Sequence, residues 1–243
     1  MKTTLGRIRR ADQDFGMIEP GDRIAIGLSG GKDSLLLTHG MSLYRRVRKD
    51  FTVQAIMLTM GPEPPDTSAV EAFCKAEDIP LTVRYTDLYQ ILFELRNDRS
   101  PCPLCAKMRR AMLCDMAKEL GCNKLALAHH REDALETLLM SLIFEGRFHV
   151  FHPKTYMSRS DITVIRPMVY MPEKEVIHMQ RKLSLPVQHN PCPANGNTKR
   201  QEMKELLREL AKRYPNLEET MLSALKNDDQ YSLWEKSGPK KAR

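Results

Sequence analysis

Residues 24–37, with the sequence IAIGLSGGKDSLLL, constrain the fold more than any other stretch of this chain. A branched apolar run stops at a short polar segment that contains Gly30 and Gly31, and a helical apolar pattern begins after Ser34. This order predicts a buried strand, a tight turn and a helix. Glycine lets the backbone approach a ligand closely, while Lys32 and the unpaired N–H groups at the helix start attract an oxyanion. The stretch therefore predicts a phosphate-binding loop.

The spacing within this loop separates it from the Walker A loop of many nucleotide-binding enzymes. That motif places four residues between its glycines and a Ser or Thr after the lysine, whereas Asp33 follows Lys32 here. The order of residues 29–34, Ser-Gly-Gly-Lys-Asp-Ser, instead resembles the pyrophosphate loop of the N-type ATP pyrophosphatases. Those enzymes split ATP into AMP and pyrophosphate while they activate a carbonyl oxygen. An ordinary glycine-rich turn between a strand and a helix is the alternative.

Length and composition limit the class of protein. At 243 residues and 42% hydrophobic content, the chain can bury one large core, or one core and a small annex. No apolar run approaches the roughly 20 residues that a membrane span requires, and the N-terminus lacks the apolar centre of a secretory signal. We therefore expect a cytoplasmic protein with no membrane partner. The formal net charge of +7 favours an acidic partner such as RNA without requiring one.

Four further strand candidates follow, at residues 51–57, 81–85, 124–128 and 162–165, and helical patterns separate them. Alternating strands and helices of this length predict an α/β fold, a parallel five-stranded sheet with helices on both faces. Such sheets bind ligands at the carboxyl ends of their strands, and the glycine-rich loop lies at one of these ends. We therefore expect other strand ends to contribute to the same ligand site.

Two strand ends carry candidate nucleotide contacts. Met60 follows the second strand and would lie within reach of an adenine, although such loops are usually connectors. The cluster His-His-Arg-Glu-Asp, residues 129–133, follows the fourth strand. Adjacent histidines point in different directions, which disfavours a two-histidine zinc site and favours polar contacts with the nucleotide. Capping of the next helix by Asp133 is the alternative, and the leucines of that helix predict a well-formed buried face.

The chain has six cysteines and no secretory signal, which leaves metal binding, catalysis or simple burial as their roles. Cys102 and Cys105 have the spacing that lets two thiolates bind one metal centre, and we expect Cys105 to open a helix whose N-terminus favours its thiolate. Cys192 lies in a loop between two prolines. The remaining three are expected to be packing cysteines: Cys74, Cys114 and Cys122.

The last predicted helix, residues 199–214, carries a basic stripe, which consists of Arg200, Lys204, Arg208 and Lys212. Glutamates dilute the stripe. Its cations either contact RNA or form ion pairs on a solvated helix face.

The ordered set of motifs resembles the tRNA 2-thiocytidine synthetase (TtcA-type) family over nearly the whole chain. The motifs are the loop at 29–34, the C-x-x-C pair, the HHREDA cluster, Arg166-Pro167 and the Cys192 loop. The resemblance implies an adenine nucleotide alpha hydrolase-like (Rossmann-like) fold with a small C-terminal helical segment. It also implies three segments: an N-terminal helix and lead-in at 1–22, the PP-loop ATP pyrophosphatase domain at 23–185, and the third-cysteine loop with basic helices at 186–243.

The same resemblance implies the chemistry. Members of the family thiolate C2 of cytidine 32 in the tRNA anticodon loop, close relatives thiolate uridine, and both use ATP with Mg2+. A [4Fe-4S] cluster would be held by Cys102, Cys105 and Cys192 alone, which leaves one iron open to sulfide. The sulfur donor would be sulfide or a persulfide carrier, and a homodimer is one option. The implied nucleotide contacts are Ser29, Gly30, Gly31, Lys32, Asp33, Ser34, Met60 and His129, and catalysis would add Arg109 and Asp133 to Asp33 and the cysteines.

Two departures from the family pattern leave alternatives open. Glu132 stands where the family usually has an aspartate, and residues 190–191 lack the second cysteine that many members carry there. One alternative is persulfide chemistry on the cysteines without a cluster. A lysidine-type ligase, in which an amine replaces sulfur, is another. A third is an RNA-binding module whose three cysteines and His189 bind structural zinc.

Overall fold

A computed structural model describes residues 2–59, 61, 65–95, 101–188, 192 and 198–227. Within that part, the chain forms one sheet of six strands in the order β3-β2-β1-β4-β6-β5. The strands are β1 Arg23–Leu28, β2 Thr52–Leu58, β3 Leu81–Arg84, β4 Lys124–Ala126, β5 Lys154–Met157 and β6 Ile162–Ile165. The α-helices are α1 Lys2–Phe15, α2 Lys32–Arg48, α3 Ser68–Ala76, α4 Cys102–Glu119, α5 Arg131–Glu145, α6 Glu173–Lys182, α7 Lys199–Arg213 and α8 Leu217–Ala224.

Helices cover both faces of the sheet, as the sequence predicts. Alternate residues of a strand point to opposite faces, so Ile24 and Ile26 of β1 join a cluster with side chains of α1, α2 and α6. Ala25 instead joins a second cluster, which is built largely from α4. Because both faces of β1 are buried, its carboxyl end is fixed between two packed layers. The loop that follows β1 is therefore held on a rigid element.

One strand was not expected from the sequence, which predicts five parallel strands and an irregular segment at residues 147–160. The structure places β5 within that segment and pairs it antiparallel with β6, which corrects the predicted sheet. The side chains of β5 are half-buried or exposed because it is an edge strand with one neighbour. Its sequence, KTYM, lacks the apolar alternation that marks a strand with a buried face.

Three helical features also differ from the prediction. Helix α4 begins at Cys102 and not at Cys105, so both cysteines lie in its first turn. Helix α8 and a π-helical segment, Gln90–Leu95, were not expected. The apolar face of α5 is only partly covered: Leu135 is fully buried, whereas Ile143 is 51% exposed. The cause is that the end of α5 extends beyond the elements that cover its first turns.

The remaining packing agrees with the sequence. Helix α1 crosses α2 at Gly40, where an added Cβ would lie only 2.6 Å from the Cδ1 atom of Ile8. The three expected packing cysteines are buried. Among the described helices, none has both the length and the apolar character needed to cross a membrane.

Candidate active site

The phosphate loop, residues 29–34, joins β1 to α2 as predicted. Gly30 has a φ of +75°, and a Cβ at this position would lie 2.6 Å from the Oε1 atom of Gln188, so both conformation and space require glycine. The Ser34 hydroxyl accepts the N–H of Ser29 at 3.1 Å and donates to the Gly31 carbonyl at 3.0 Å. No described side chain caps α2, so its first N–H groups can bind an anion.

Lys32 holds its charge at the loop through two carboxylates. Its Nζ atom lies 3.0 Å from Oδ1 of Asp33 and 3.4 Å from Oε1 of Glu173. Burial disfavours the ammonium, but both carboxylates outweigh that effect and raise the pKa of Lys32. Glu173 also accepts from Lys204 of α7 at 2.5 Å. A phosphate that binds Lys32 must therefore compete with these carboxylates.

His130 lies between two of the predicted catalytic carboxylates. Its Nε2 atom is 3.8 Å from Oδ1 of Asp33 and 3.6 Å from Oδ2 of Asp133. Burial favours neutral imidazole, but Glu132, Asp133 and Asp33 outweigh it and raise the pKa of His130. Asp133 also accepts the backbone N–H of His130 at 2.8 Å, which confirms that it caps α5.

The basic stripe of α7 pairs with carboxylates beside this site. Arg200 lies 3.2 Å from Asp133 and 3.3 Å from Glu136, and Arg208 lies 3.5 Å from Glu173. The predicted ion pairs are therefore confirmed for Arg200, Lys204 and Arg208. Glu136 is buried, and burial together with the charge of Asp133 raises its pKa to about 7 despite Arg200.

The pKa of His129 is shifted in the opposite direction from that of His130. Burial is the main cause that lowers the pKa of His129 to about 4, and Arg166 contributes to it. Its neutral ring accepts the Nε–H of Arg166 at Nδ1, at 3.2 Å, and packs against Phe151 with 4.8 Å between ring centroids. His129 thus contacts Arg166 at the end of β6, and its contact with a nucleotide stays a prediction.

The three candidate cluster cysteines lie in one neighbourhood. Cys102 is exposed, and Cys105 and Cys192 are partly buried. Burial raises the pKa of the Cys105 thiol, the charges of Cys192 and Cys102 raise it further, and Arg109 lowers it. The charge of Cys192 therefore acts on Cys105, which places the third cysteine within electrostatic range of the C-x-x-C pair. In the described part of the chain, no three His, Cys, Asp or Glu side chains have a metal-binding arrangement, and the cluster ligands stay a prediction.

Gln188 joins the phosphate loop to the segment that leads to Cys192. Its backbone N–H donates to the Gly30 carbonyl at 2.9 Å, and its side-chain amide donates to the Asp66 carbonyl at 2.6 Å. Sequence reasoning missed this residue because the contact joins positions far apart in the chain, and no local pattern marks it. The structure thus places Gln188, which precedes Cys192 by four residues, at the phosphate loop.

Comparisons with known proteins show which family this chain belongs to. Residues 5–210 match the family model of the PP-loop domain. A tRNA-cytidine(32) 2-sulfurtransferase of Pelobacter propionicus is 39% identical over 224 residues, which cover 90% of this chain and 83% of that protein. One from Geobacter sulfurreducens is 38% identical over 230 residues, which cover 93% and 90%. The chain belongs to this PP-loop family of tRNA-cytidine(32) 2-sulfurtransferases. The resemblance drawn from the motifs is confirmed.

A solved tRNA thiolase has the same fold. The U34-tRNA thiolase NcsA from Methanococcus maripaludis, solved with its [4Fe-4S] cluster, superposes with a TM-score of 0.78. The two chains are 24% identical, and the match covers 97% of this chain and 80% of that one. At this identity the likeness shows the fold alone, and it confirms the predicted adenine nucleotide alpha hydrolase-like fold.

Two sequence predictions for this PP-loop site fall on residues that the structure does not describe. Met60 was expected near the adenine and His189 was the fourth ligand in the zinc alternative; both lie outside the described residues. The roles assigned to Asp33, Arg109 and Asp133 stay predictions.

Proposed function

We propose that this protein is an ATP-dependent tRNA sulfurtransferase that replaces the C2 oxygen of a cytidine, at position 32 of the anticodon loop, with sulfur. The observation that carries the proposal is the hydrogen bond from Gln188 to Gly30, which ties the approach to Cys192 to the phosphate loop. Activation of the base and delivery of sulfur can then occur in one cleft. The relatives' names supply the base and position. The proposed place of action is the cytoplasm.

The first step is adenylation of the base. The C2 carbonyl oxygen attacks the α-phosphorus of ATP, an O–P bond forms, and pyrophosphate leaves with the electron pair of the broken bond. Backbone N–H groups at the start of α2 bind the phosphates, and Lys32 exchanges Glu173 for a phosphate oxygen. Mg2+ accompanies ATP, and Asp33 is the side chain best placed to assist it. The bound AMP is a far better leaving group than oxide.

The second step is substitution at C2. Sulfide attacks C2, a C–S bond forms, the C–O bond breaks, and AMP leaves with the oxygen. Where the donor is a persulfide carrier, its outer sulfur attacks C2, and a second thiol then takes the carrier sulfur as a disulfide, which leaves the thiocarbonyl sulfur on C2. Cys102, Cys105 and Cys192 fit a [4Fe-4S] cluster by donor chemistry, because three thiols share one partly open neighbourhood beside Arg109. When bound, such a cluster supplies a Lewis-acidic iron that favours deprotonated sulfur at neutral pH. Arg109 offsets the negative charge of the thiolates.

Nucleoside mass spectrometry tests the proposal. Unmodified tRNA is incubated anaerobically with the protein, ATP and sulfide, and then digested. We expect 2-thiocytidine and release of pyrophosphate. Thiolated uridine in place of 2-thiocytidine would show that uridine is the substrate base. Product without iron and labile sulfide in the protein would favour persulfide chemistry, and absence of pyrophosphate release would favour an RNA-binding module.

Variants separate the two halves of the site. Lys32→Ala and Asp33→Ala should abolish thiolation and keep iron and sulfide content, because both residues lie at the phosphate loop. Cys192→Ala should lose iron and sulfide and keep ATP binding. Retained thiolation in any of the three contradicts the assigned role. Full activity of Cys102→Ala would instead favour the lysidine-type ligase.

A further inference from the structure

Arg166 is a buried cation without an acidic partner among the residues that the structure describes. It is 4% exposed and follows β6 at the carboxyl edge of the sheet. Its Nε–H donates to neutral His129, one terminal nitrogen donates to the His152 carbonyl at 2.5 Å, and its guanidinium lies 4.7 Å from the Phe151 ring centroid. All three partners are uncharged. Among the described carboxylates, none lies within ion-pairing distance of Arg166.

A second arginine adds to this unbalanced charge. Burial and, to a smaller extent, the charge of Arg110 lower the pKa of Arg166 to about 10, so Arg166 stays cationic at neutral pH. Arg110 lies on the exposed side of α4 and has no ion pair with any described residue. A buried cation such as Arg166 is costly unless an anion neutralises it, and a second cation near it adds to that cost.

Arg131 is a buried arginine whose charge is balanced by carboxylates of the same chain. It is 3% exposed, and three carboxylates contact it, those of Glu132, Glu218 and Glu219. At similar burial, Arg166 has hydrogen bonds that fix its orientation but no countercharge from the described part of the chain. The contrast indicates that the countercharge of Arg166 comes from a ligand.

We propose that Arg110 and Arg166 form a second phosphate-binding site, beside the one at the phosphate loop. In the sheet, β4 separates β6 from β1, so the two sites lie about 10 Å apart at the strand ends. Guanidinium groups bind phosphate oxygens well because of their planar array of donors. The phosphate belongs either to the backbone of the substrate RNA or to the nucleotide and its pyrophosphate product. The RNA source rests on the proposed function, whereas the nucleotide source rests on the PP-loop alone.

Three variants of the full chain test the site. Arg110→Gln removes a surface charge of the pair without changing the core. Arg166→Lys keeps a charge but loses the planar donor array, and its melting temperature reports whether the fold survives. Lys107→Gln is the matched control, since it removes an exposed cation from the same helix. Fluorescence anisotropy measures binding of an anticodon stem-loop RNA over a range of KCl, and calorimetry measures binding of ATP and of pyrophosphate.

The two sources give different results. If the phosphate belongs to RNA, Arg110→Gln and Arg166→Lys weaken RNA binding about tenfold and reduce the salt slope by about 0.7 to 1, with ATP and pyrophosphate affinities unchanged. If it belongs to the nucleotide, pyrophosphate affinity falls about tenfold and RNA affinity does not. Either result supports the site, provided that Lys107→Gln matches the wild type.

The site is overturned if folded Arg110→Gln binds all three ligands within about twofold of the wild type. That outcome leaves the proposed function intact, because the wild-type protein still binds and thiolates RNA. If the wild type does not thiolate RNA, the proposed function fails, and the pyrophosphate measurement still decides whether the arginine pair binds phosphate.

Discussion

Buried carboxylates near the phosphate loop differ in charge because their neighbours differ. Burial would raise the pKa of Glu132, but His130 and Arg131 outweigh it and lower that pKa to about 2. One turn further along α5, burial and the charge of Asp133 raise the pKa of Glu136 to about 7, against the opposing charge of Arg200. Within one turn of α5, the site thus holds Glu132, which stays ionised, and Glu136, which titrates near neutral pH.

Glu136→Gln should stabilise the protein at alkaline pH and not at acidic pH. The carboxyl group titrates near 4.5 when unfolded and near 7 when folded, so the folded state binds more protons between these values. The free energy of unfolding of the wild type therefore falls as pH rises through this window. The free energy of unfolding of the variant should exceed that of the wild type by at most about 3 kcal/mol at about pH 8, and by little at about pH 4.

Urea denaturation of both proteins across this pH range measures the difference. Glu145→Gln is the control because Glu145 lies on the same helix and is exposed. If the free energies of unfolding of the Glu136 variant and the wild type differ by the same amount at every pH, the raised pKa of Glu136 is contradicted.

Glu173→Gln should tighten ATP binding. In the structure Glu173 lies 3.4 Å from Lys32, and a phosphate must displace it. Removal of that competitor should lower the Kd for ATP by about two- to fivefold, the range of a partly exposed ion pair. Calorimetric titration measures the Kd, and Glu175→Gln on the same helix is the control because Glu175 pairs with Arg7. An unchanged or higher Kd would mean that Glu173 does not compete with phosphate.

At the scale of elements, α7 is fixed to α5 and α6 by charge as well as by apolar contacts. Met203 and Leu207 are buried, and three of the four stripe cations pair with carboxylates on α5 and at the start of α6. The three paired cations are therefore the same side chains that were the candidate RNA contacts. The stripe therefore has a structural role before any RNA binds.

Arg200→Gln should destabilise the fold more than Lys212→Gln does. Loss of Arg200 leaves Asp133 and Glu136 without that countercharge, whereas Lys212 forms no ion pair with any described residue. The Arg200 side chain is partly exposed, so solvent screening limits the expected loss to about 1 kcal/mol. Urea denaturation at neutral pH measures it. Equal effects of the two variants would show that the pairs of Arg200 add no stability.

The elements with strong local patterns were predictable from sequence, and the tertiary contacts were not. The phosphate loop follows from apolar residues that stop at two glycines, and the structure places it as expected between β1 and α2. Strand β5 has a half-exposed, mixed sequence, and its pairing depends on β6 and not on its own pattern. The contact between Gln188 and Gly30 arises only in the folded chain. The same holds for the burial of Arg166 among uncharged hydrogen-bond partners.

At the scale of the whole molecule, the C-terminal helices complete the charge balance of the nucleotide site. Arg131 at the start of α5 is buried beside His130, and two of its three carboxylate partners, Glu218 and Glu219, come from α8. Helix α8 therefore neutralises a charge next to the active site. The position of the first turn of α5 depends on a segment almost ninety residues further along the chain.

The double variant Glu218→Gln/Glu219→Gln should destabilise the whole molecule because it leaves Arg131 with Glu132 alone. Breaking pairs of a buried charge is costly, and with one partner retained we expect a loss of about 2 kcal/mol. Glu205→Gln/Glu209→Gln, on the exposed side of α7, is the control with the same change in net charge. In a protein that also carries Arg131→Met, the Glu218→Gln/Glu219→Gln change should lower the free energy of unfolding much less, because the buried charge of Arg131 is absent. Equal losses in both backgrounds, measured by urea denaturation, would show that α8 stabilises the protein by contacts other than those with Arg131.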